Sequence, residues 1–190
     1  MEEIIALLNS VHHMPKALQL RLWQMAKRKE VPRKTILLSP GDICNYLYYI
    51  EKGILACHHH EDGKSYCTWL MTERDIATSV KSFNDQVPST ESIEAVEDSI
   101  LWVISKQELE ELSEQFKVFR NIRQRLTDKY HKQCRDLDAQ RKRTPEQFYD
   151  YLSENFPEFP RRVPNHILAS YMGIAESTLY KIKKDRRNHR

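Results

Sequence analysis

Val163-Pro164-Asn165-His166-Ile167-Leu168-Ala169-Ser170-Tyr171-Met172-Gly173-Ile174-Ala175-Glu176-Ser177-Thr178-Leu179-Tyr180-Lys181-Ile182-Lys183-Lys184 is the stretch from which the architecture of this 190-residue chain is best read. Gly173 stands where a tight turn needs a positive φ, and Ala169 is small where two helices would cross. Ile174, Leu179 and Ile182 make the inner face of a second helix, which is the spacing of a helix-turn-helix. The outward face, Glu176, Ser177, Tyr180, Lys181 and Lys184, mixes hydrogen-bonding and cationic groups, as a helix in the major groove requires. Ala175 is a poor N-cap for that helix, a mark of a weakened reader.

Charge supports the DNA reading. Residues 1–116 carry 12 Lys/Arg against 18 Asp/Glu, and residues 117–143 carry 10 against 3. Residues 144–160 have 4 acids and no Lys/Arg, whereas residues 161–190 have 8 Lys/Arg against 2 acids. An acidic front with basic stripes behind it is the footprint of a nucleic-acid binder whose sensing part stays off the phosphates. No apolar run reaches the roughly 20 residues of a membrane helix, so no membrane partner is expected. The acidic Met1-Glu2-Glu3 start is unlike a secretory leader, and a cytoplasmic location is expected. Cys44, Cys57, Cys67 and Cys134 lie far apart without a C-x-x-C pair, as free thiols do.

Upstream the period changes twice. From Glu2 to Lys29 apolar residues recur at helical spacing around Pro15, predicting two short helices. Between Lys34 and Ser105 short strands are predicted at Thr35–Leu38, Tyr46–Ile50, Ile54–His60, Ser65–Met71, Glu91–Glu94 and Ile100–Ile104. Pro40-Gly41-Asp42, Lys52-Gly53 and Asp62-Gly63 punctuate them, and Asp-Gly between strands is a two-residue hairpin signal. Regular short strands imply a closed barrel or jelly roll. From about Gln107 to Gln140 one helical stripe runs through Leu109, Leu112, Phe116, Phe119, Ile122, Leu126, Tyr130 and Leu137, with no Gly or Pro before Pro145. A helix of about 35 residues spans roughly 50 Å, more than a small barrel covers, so the stripe of Leu112, Phe116, Phe119, Ile122, Leu126 and Tyr130 is expected to pair with a second copy as a homodimer. Thr144-Pro145-Glu146-Gln147 then caps a new helix.

These features together resemble the Crp/Fnr family, in particular its short Bacteroidetes-type members. The likeness rests on Pro40-Gly41-Asp42, Tyr48-Tyr49-Ile50-Glu51-Lys52-Gly53, Asp62-Gly63, Pro88-Ser89-Thr90-Glu91-Ser92-Ile93-Glu94-Ala95 and Ala169-Ser170-Tyr171-Met172-Gly173-Ile174. It implies an α+β fold: a cyclic-nucleotide-binding-like β-roll sensor over residues 1–105, a dimerisation helix over 106–143, and a winged-helix-like helix-turn-helix over 144–190. It also implies a transcription regulator that is not an enzyme, with double-stranded DNA and RNA polymerase as partners. The chain leaves little room for a wing after the second helix.

In family members that bind cyclic AMP, Gly-Glu opens a short helix and a later Arg-Ser meets the phosphate. This sequence departs at each point, with Arg74-Asp75 to Thr78-Ser79 in the first place and Ser89-Thr90, followed by Glu91, in the second. Acids at a phosphate site repel it, so no cyclic nucleotide is expected. An unknown effector or none remains, with Arg74, Ser89, Thr90 and Glu91 as candidate pocket residues. Cys57-His58-His59-His60 after Gly53 is a near miss to the cupin metal motif, one residue short. His58 and His60 share a strand face with Cys67 across from His58, a conceivable zinc set, but no metal or other cofactor is predicted. Two alternatives therefore stand beside the regulator: a metal-binding cupin-like protein, and a signalling adaptor that keeps the fold without binding DNA.

For DNA, Glu176, Ser177 and Lys181 fall where the family resemblance places its base-contacting residues, with Tyr180 on the same face. Lys183, Lys184, Arg186, Arg187 and Arg190 are assigned to phosphates, with Arg161 and Arg162 as weaker candidates. A two-fold dimer reads an inverted repeat.

Overall fold

The computed structural model describes residues 1–188. Helices α1 (Glu2–Val11) and α2 (Lys16–Met25) open the chain, burying Ile4, Leu8, Leu18, Leu22 and Met25. Strands β1 (Lys27–Val31), β2 (Ile36–Leu38), β3 (Tyr46–Lys52), β4 (Leu55–Glu61), β5 (Lys64–Met71) and β6 (Ile76–Ala77) follow, then helix α3 (Val80–Asp85) and strands β7 (Glu91–Ala95) and β8 (Ser99–Ser105). The remainder is helical: α4 (Lys106–Gln115), α5 (Lys117–Arg141), α6 (Pro145–Asn155), α7 (Glu158–Arg162), α8 (Asn165–Met172) and α9 (Glu176–Asn188).

Two four-stranded antiparallel sheets, ordered β1-β8-β3-β6 and β2-β7-β4-β5, form the jelly-roll-like barrel of this α+β fold. Helical spacing predicts helix as far as Lys29, but Lys27 pairs with Val103 and Val31 with Ser99, so a ladder of tertiary origin overrides the local pattern. The β4–β5 hairpin turns at Asp62-Gly63, both at positive φ and closed by the Glu61–Lys64 pair, as the Asp-Gly signal predicts.

The expected single helix is two. Phe116 adopts φ −128 and ψ 100 between α4 and α5, although neither Gly nor Pro marks the break. A capping box of Ser105 and Glu108 starts α4, while the new direction of α5 sends Phe119 and Ile122 into the chain's own core, 3% and 0% exposed. Leu112 is likewise fully buried. The premise that this stripe faces water is therefore corrected for Leu112, Phe119 and Ile122; Phe116, Leu126 and Tyr130 stay half-buried. Among the described residues no strand follows Ser105, so the wing implied by the resemblance is absent there.

The run Ile54-Leu55-Ala56-Cys57 explains how the parts join. Leu55 and Cys57 pack with the barrel interior, α1, α2 and the start of α5. Ile54 and Ala56 face the other way and, with Cys67, Leu70 and Val96, meet Phe148, Leu152, Phe159 and Leu168. Near-continuous apolar sequence marks a strand covered on both faces. Helices α6–α9 are thus seated on the outer face of the second sheet.

Candidate functional site

Two features are placed by this scaffold: a cavity inside the barrel beside α5, and the outward face of α9.

The cavity measures about 390 Å³ and is walled by Cys57, Trp69 and Met71 of the second sheet, Leu47 and Tyr49 of the first, and Leu126 and Tyr130 of α5. Trp69 and Tyr130 stand 5.6 Å apart, tilted by 54°, a favourable aromatic arrangement. Of the four expected pocket residues, Arg74 and Glu91 line this space. Ser89 is buried behind it, where the Glu91 amide donates to its Oγ at 3.0 Å. Thr90 is exposed and presents only its carbonyl, to the His60 amide at 3.0 Å, so it is not part of the wall. Ser79 does not line the space but holds a residue that does: its hydroxyl donates to Glu91 Oε2 at 2.7 Å. Burial drives the Tyr130 hydroxyl and the Cys57 thiol far above their ordinary values, and the nearby Glu91 charge adds to both shifts. Both groups therefore stay protonated at neutral pH.

The histidine run lies elsewhere. His58 pairs in register with Cys67, as the hairpin requires, but Cys67 packs against the C-terminal helices. His58 Nε2 is buried without a partner, and burial lowers its pKa, while His60 Nε2 bonds Ser92 Oγ at 2.8 Å. Among the described residues no three His, Cys, Asp or Glu side chains converge on a metal-sized space.

In the C-terminal part Gly173 ends α8 at φ 71, with its amide on Ser170 O and that of Ile174 on Ala169 O. This left-handed cap turns the chain into α9. Leu179 and Ile182 are buried beneath it. Glu176, Ser177, Tyr180 and Lys181 are exposed on the opposite side, Tyr180 to 58%. Lys184 and Arg187 are exposed too, and among the described residues neither makes an ion pair or side-chain hydrogen bond. Lys183 and Arg186 do not match a phosphate assignment. Lys183 Nζ donates to Asn165 Oδ1 at 2.7 Å and Pro160 O at 3.0 Å, and its half-buried ammonium has a lowered pKa through desolvation. Arg186 grips Asp150 with two bonds of 2.7 and 2.6 Å. Arg190 lies outside the described residues.

Arg162 is also engaged, joining the C-terminal helices to the barrel. Its guanidinium donates to Glu73 at 3.0 and 2.6 Å and to Glu97. Burial pushes Glu73 up, but Arg162, the Thr72 hydroxyl and the Gly53 amide outweigh it and hold the carboxyl at about 2. At the same seam the Cys67 amide donates to Ser170 Oγ at 2.9 Å, and Arg141 donates to Thr68 O at 2.8 Å while lying over the Tyr171 ring. These partners are separated by up to 103 positions, and no local spacing signals them.

The comparisons agree with this geometry. Residues 28–116 match the family model of the cyclic nucleotide-binding domain. No curated protein sequence matches the chain. Among solved structures, FixK2 from Bradyrhizobium japonicum is 13% identical at a TM-score of 0.70, covering 87% of this chain and 86% of its own. A putative transcriptional regulator of the Crp/Fnr family from Eubacterium rectale is 15% identical at 0.68, with 93% and 85% covered. The c-di-GMP responsive global regulator CLP of Xanthomonas campestris is 15% identical at 0.64, with 92% and 93% covered. Residues 28–116 therefore resemble a cyclic nucleotide-binding domain, and the chain as a whole has the fold seen in these regulators.

Proposed function

We propose that the chain is a sequence-specific DNA-binding transcription regulator of the Crp/Fnr type, acting as a cytoplasmic homodimer alongside RNA polymerase. The observation that carries this reading is the face of α9. Glu176, Ser177, Tyr180 and Lys181 project from a helix fixed from below by Leu179 and Ile182, and the basic Lys184 and Arg187 flank them. Glu176 can accept from cytosine N4, and Lys181 can donate to guanine O6 or N7. Lys184 and Arg187 take the phosphate role, since Lys183 and Arg186 already hold Asn165 and Asp150.

The nucleotide pocket is degenerate in this reading. Glu91 stands on the wall with Ser79 and Ser89 around it, and no arginine occupies the Ser89-Thr90 position to meet a phosphate.

The test is a pair of variants measured on a selected DNA site. Lys181→Ala costs about 1–3 kcal/mol on that site and relaxes base preference at one position, whereas Lys184→Ala weakens every sequence alike and makes the salt slope shallower by about 1. Unchanged binding in both variants would place DNA recognition outside α9, and no enriched site for the parent chain would leave the adaptor reading in its place.

A further inference from the structure

Around Glu91 the cavity has a chemistry opposite to that of a phosphate site. Glu91 is one of three carboxylates on its wall, with Asp75 and Asp138, and it is braced: the Ser79 hydroxyl holds Oε2 at 2.7 Å, and its own amide is tied to Ser89 Oγ. Around it stand Cys57, Met71 and the Trp69–Tyr130 ring pair. Glu91 pairs with His59 on β4, two places from Cys57, which pairs with Trp69, and its charge contributes to the raised pKa of both Tyr130 and Cys57. Arg74, Arg123, Lys129 and Arg141 also border the space; Arg123 donates to Ser113 Oγ at 2.9 Å and Arg141 to Thr68 O. Arg74 is exposed.

A positioned carboxylate beside two aromatic rings is a receptor for positive charge. The carboxylate accepts a charge-assisted hydrogen bond or a direct ion contact, and the ring faces attract the cation electrostatically. The cavity volume of about 390 Å³ matches an organic body. We propose that this cavity binds a small organic cation, an amine or quaternary ammonium with an apolar or aromatic body, its charge lying between Glu91 and the Trp69–Tyr130 pair. The inference rests on the reading of the barrel as the regulator's effector domain and supplies the effector's chemical class.

The test is calorimetric titration of the full chain without DNA. Tryptamine and benzyltrimethylammonium serve as cationic probes, tryptophol as a neutral isostere, and indole-3-acetate and cyclic AMP as anions. The cations are expected to bind saturably at one per chain, tryptophol at least tenfold more weakly, and the anions not at all. Glu91→Gln, which keeps the acceptor for Ser79, should remove the tenfold preference without moving the thermal midpoint, and Trp69→Leu should weaken both cations together. Tighter binding of an anion, an unchanged preference in Glu91→Gln, or no saturable binding by either cation would overturn the proposal. Because DNA is absent, such a failure leaves the DNA-binding reading standing, and failure of DNA recognition leaves this result standing.

Discussion

Glu73 and Arg162 are the residues through which the barrel grips the C-terminal helices, and their pairing has a pH signature. The Glu73 carboxyl is held at about 2 against an ordinary 4.5. A folded-state value below the unfolded one means that the stabilisation is fully present above about pH 4.5 and is lost as pH falls toward 2. Both side chains are one-third exposed, so screening limits the contribution to about 1 kcal/mol. Urea unfolding should show Arg162→Ala less stable than the parent by about that amount at pH 6, with the gap narrowing as the buffer is taken from pH 5 to 3. A gap that does not depend on pH would mean that Arg162 acts through packing alone. At this scale the turn residues were legible in the sequence, because Asp62-Gly63 and Gly173 have backbone requirements that few residues satisfy. The engagement of Lys183, Arg186 and Arg162 was not, because a side chain's partner depends on which helix the fold lays beside it.

Among the elements, α5 departs most from its pattern. An unbroken 3.6-residue stripe predicts one long helix, and the break at Phe116 arises from packing. Helix α4 continues from β8 along the barrel, whereas α5 must turn to bring Phe119 and Ile122 into the core. The proposed dimer contact therefore moves to the half-buried part of α5, Leu126 and Tyr130. Replacing both by Asp should yield a monomer by sedimentation, with a lowered melting midpoint because both side chains also wall the cavity. Phe119→Asp, in contrast, should unfold the chain, since emptying a buried phenylalanine site alone costs about 3–5 kcal/mol. A stable dimer in the Leu126/Tyr130 double variant would place the interface elsewhere. The barrel strands were legible because alternation and turn signals coincide; β1, β6 and α3 were not, being short and fixed by partners distant in sequence.

Across the whole molecule, the second sheet serves two cores. Its inner face lines the cavity with Cys57, Trp69 and Met71, and its outer face carries Ile54, Ala56 and Leu70 against α6–α9. Arg141, at the end of α5, borders the cavity and also reaches Thr68 and Tyr171, so cavity, α5 and C-terminal helices share one set of contacts. The order of barrel, long helical segment and helix pair was legible from the period of the apolar residues and the alternation of charge; the docking of the last part on the first was not, because it rests on single residues tens of positions apart. The central claim is that this assembly presents two copies of α9 to DNA, and selection from a random double-stranded pool by the purified chain tests it most directly. The expected result is enrichment of an inverted repeat with half-site centres about 10–10.5 bp apart or a multiple of that. Recovery of no enriched sequence, or of a single unrepeated site, would contradict it.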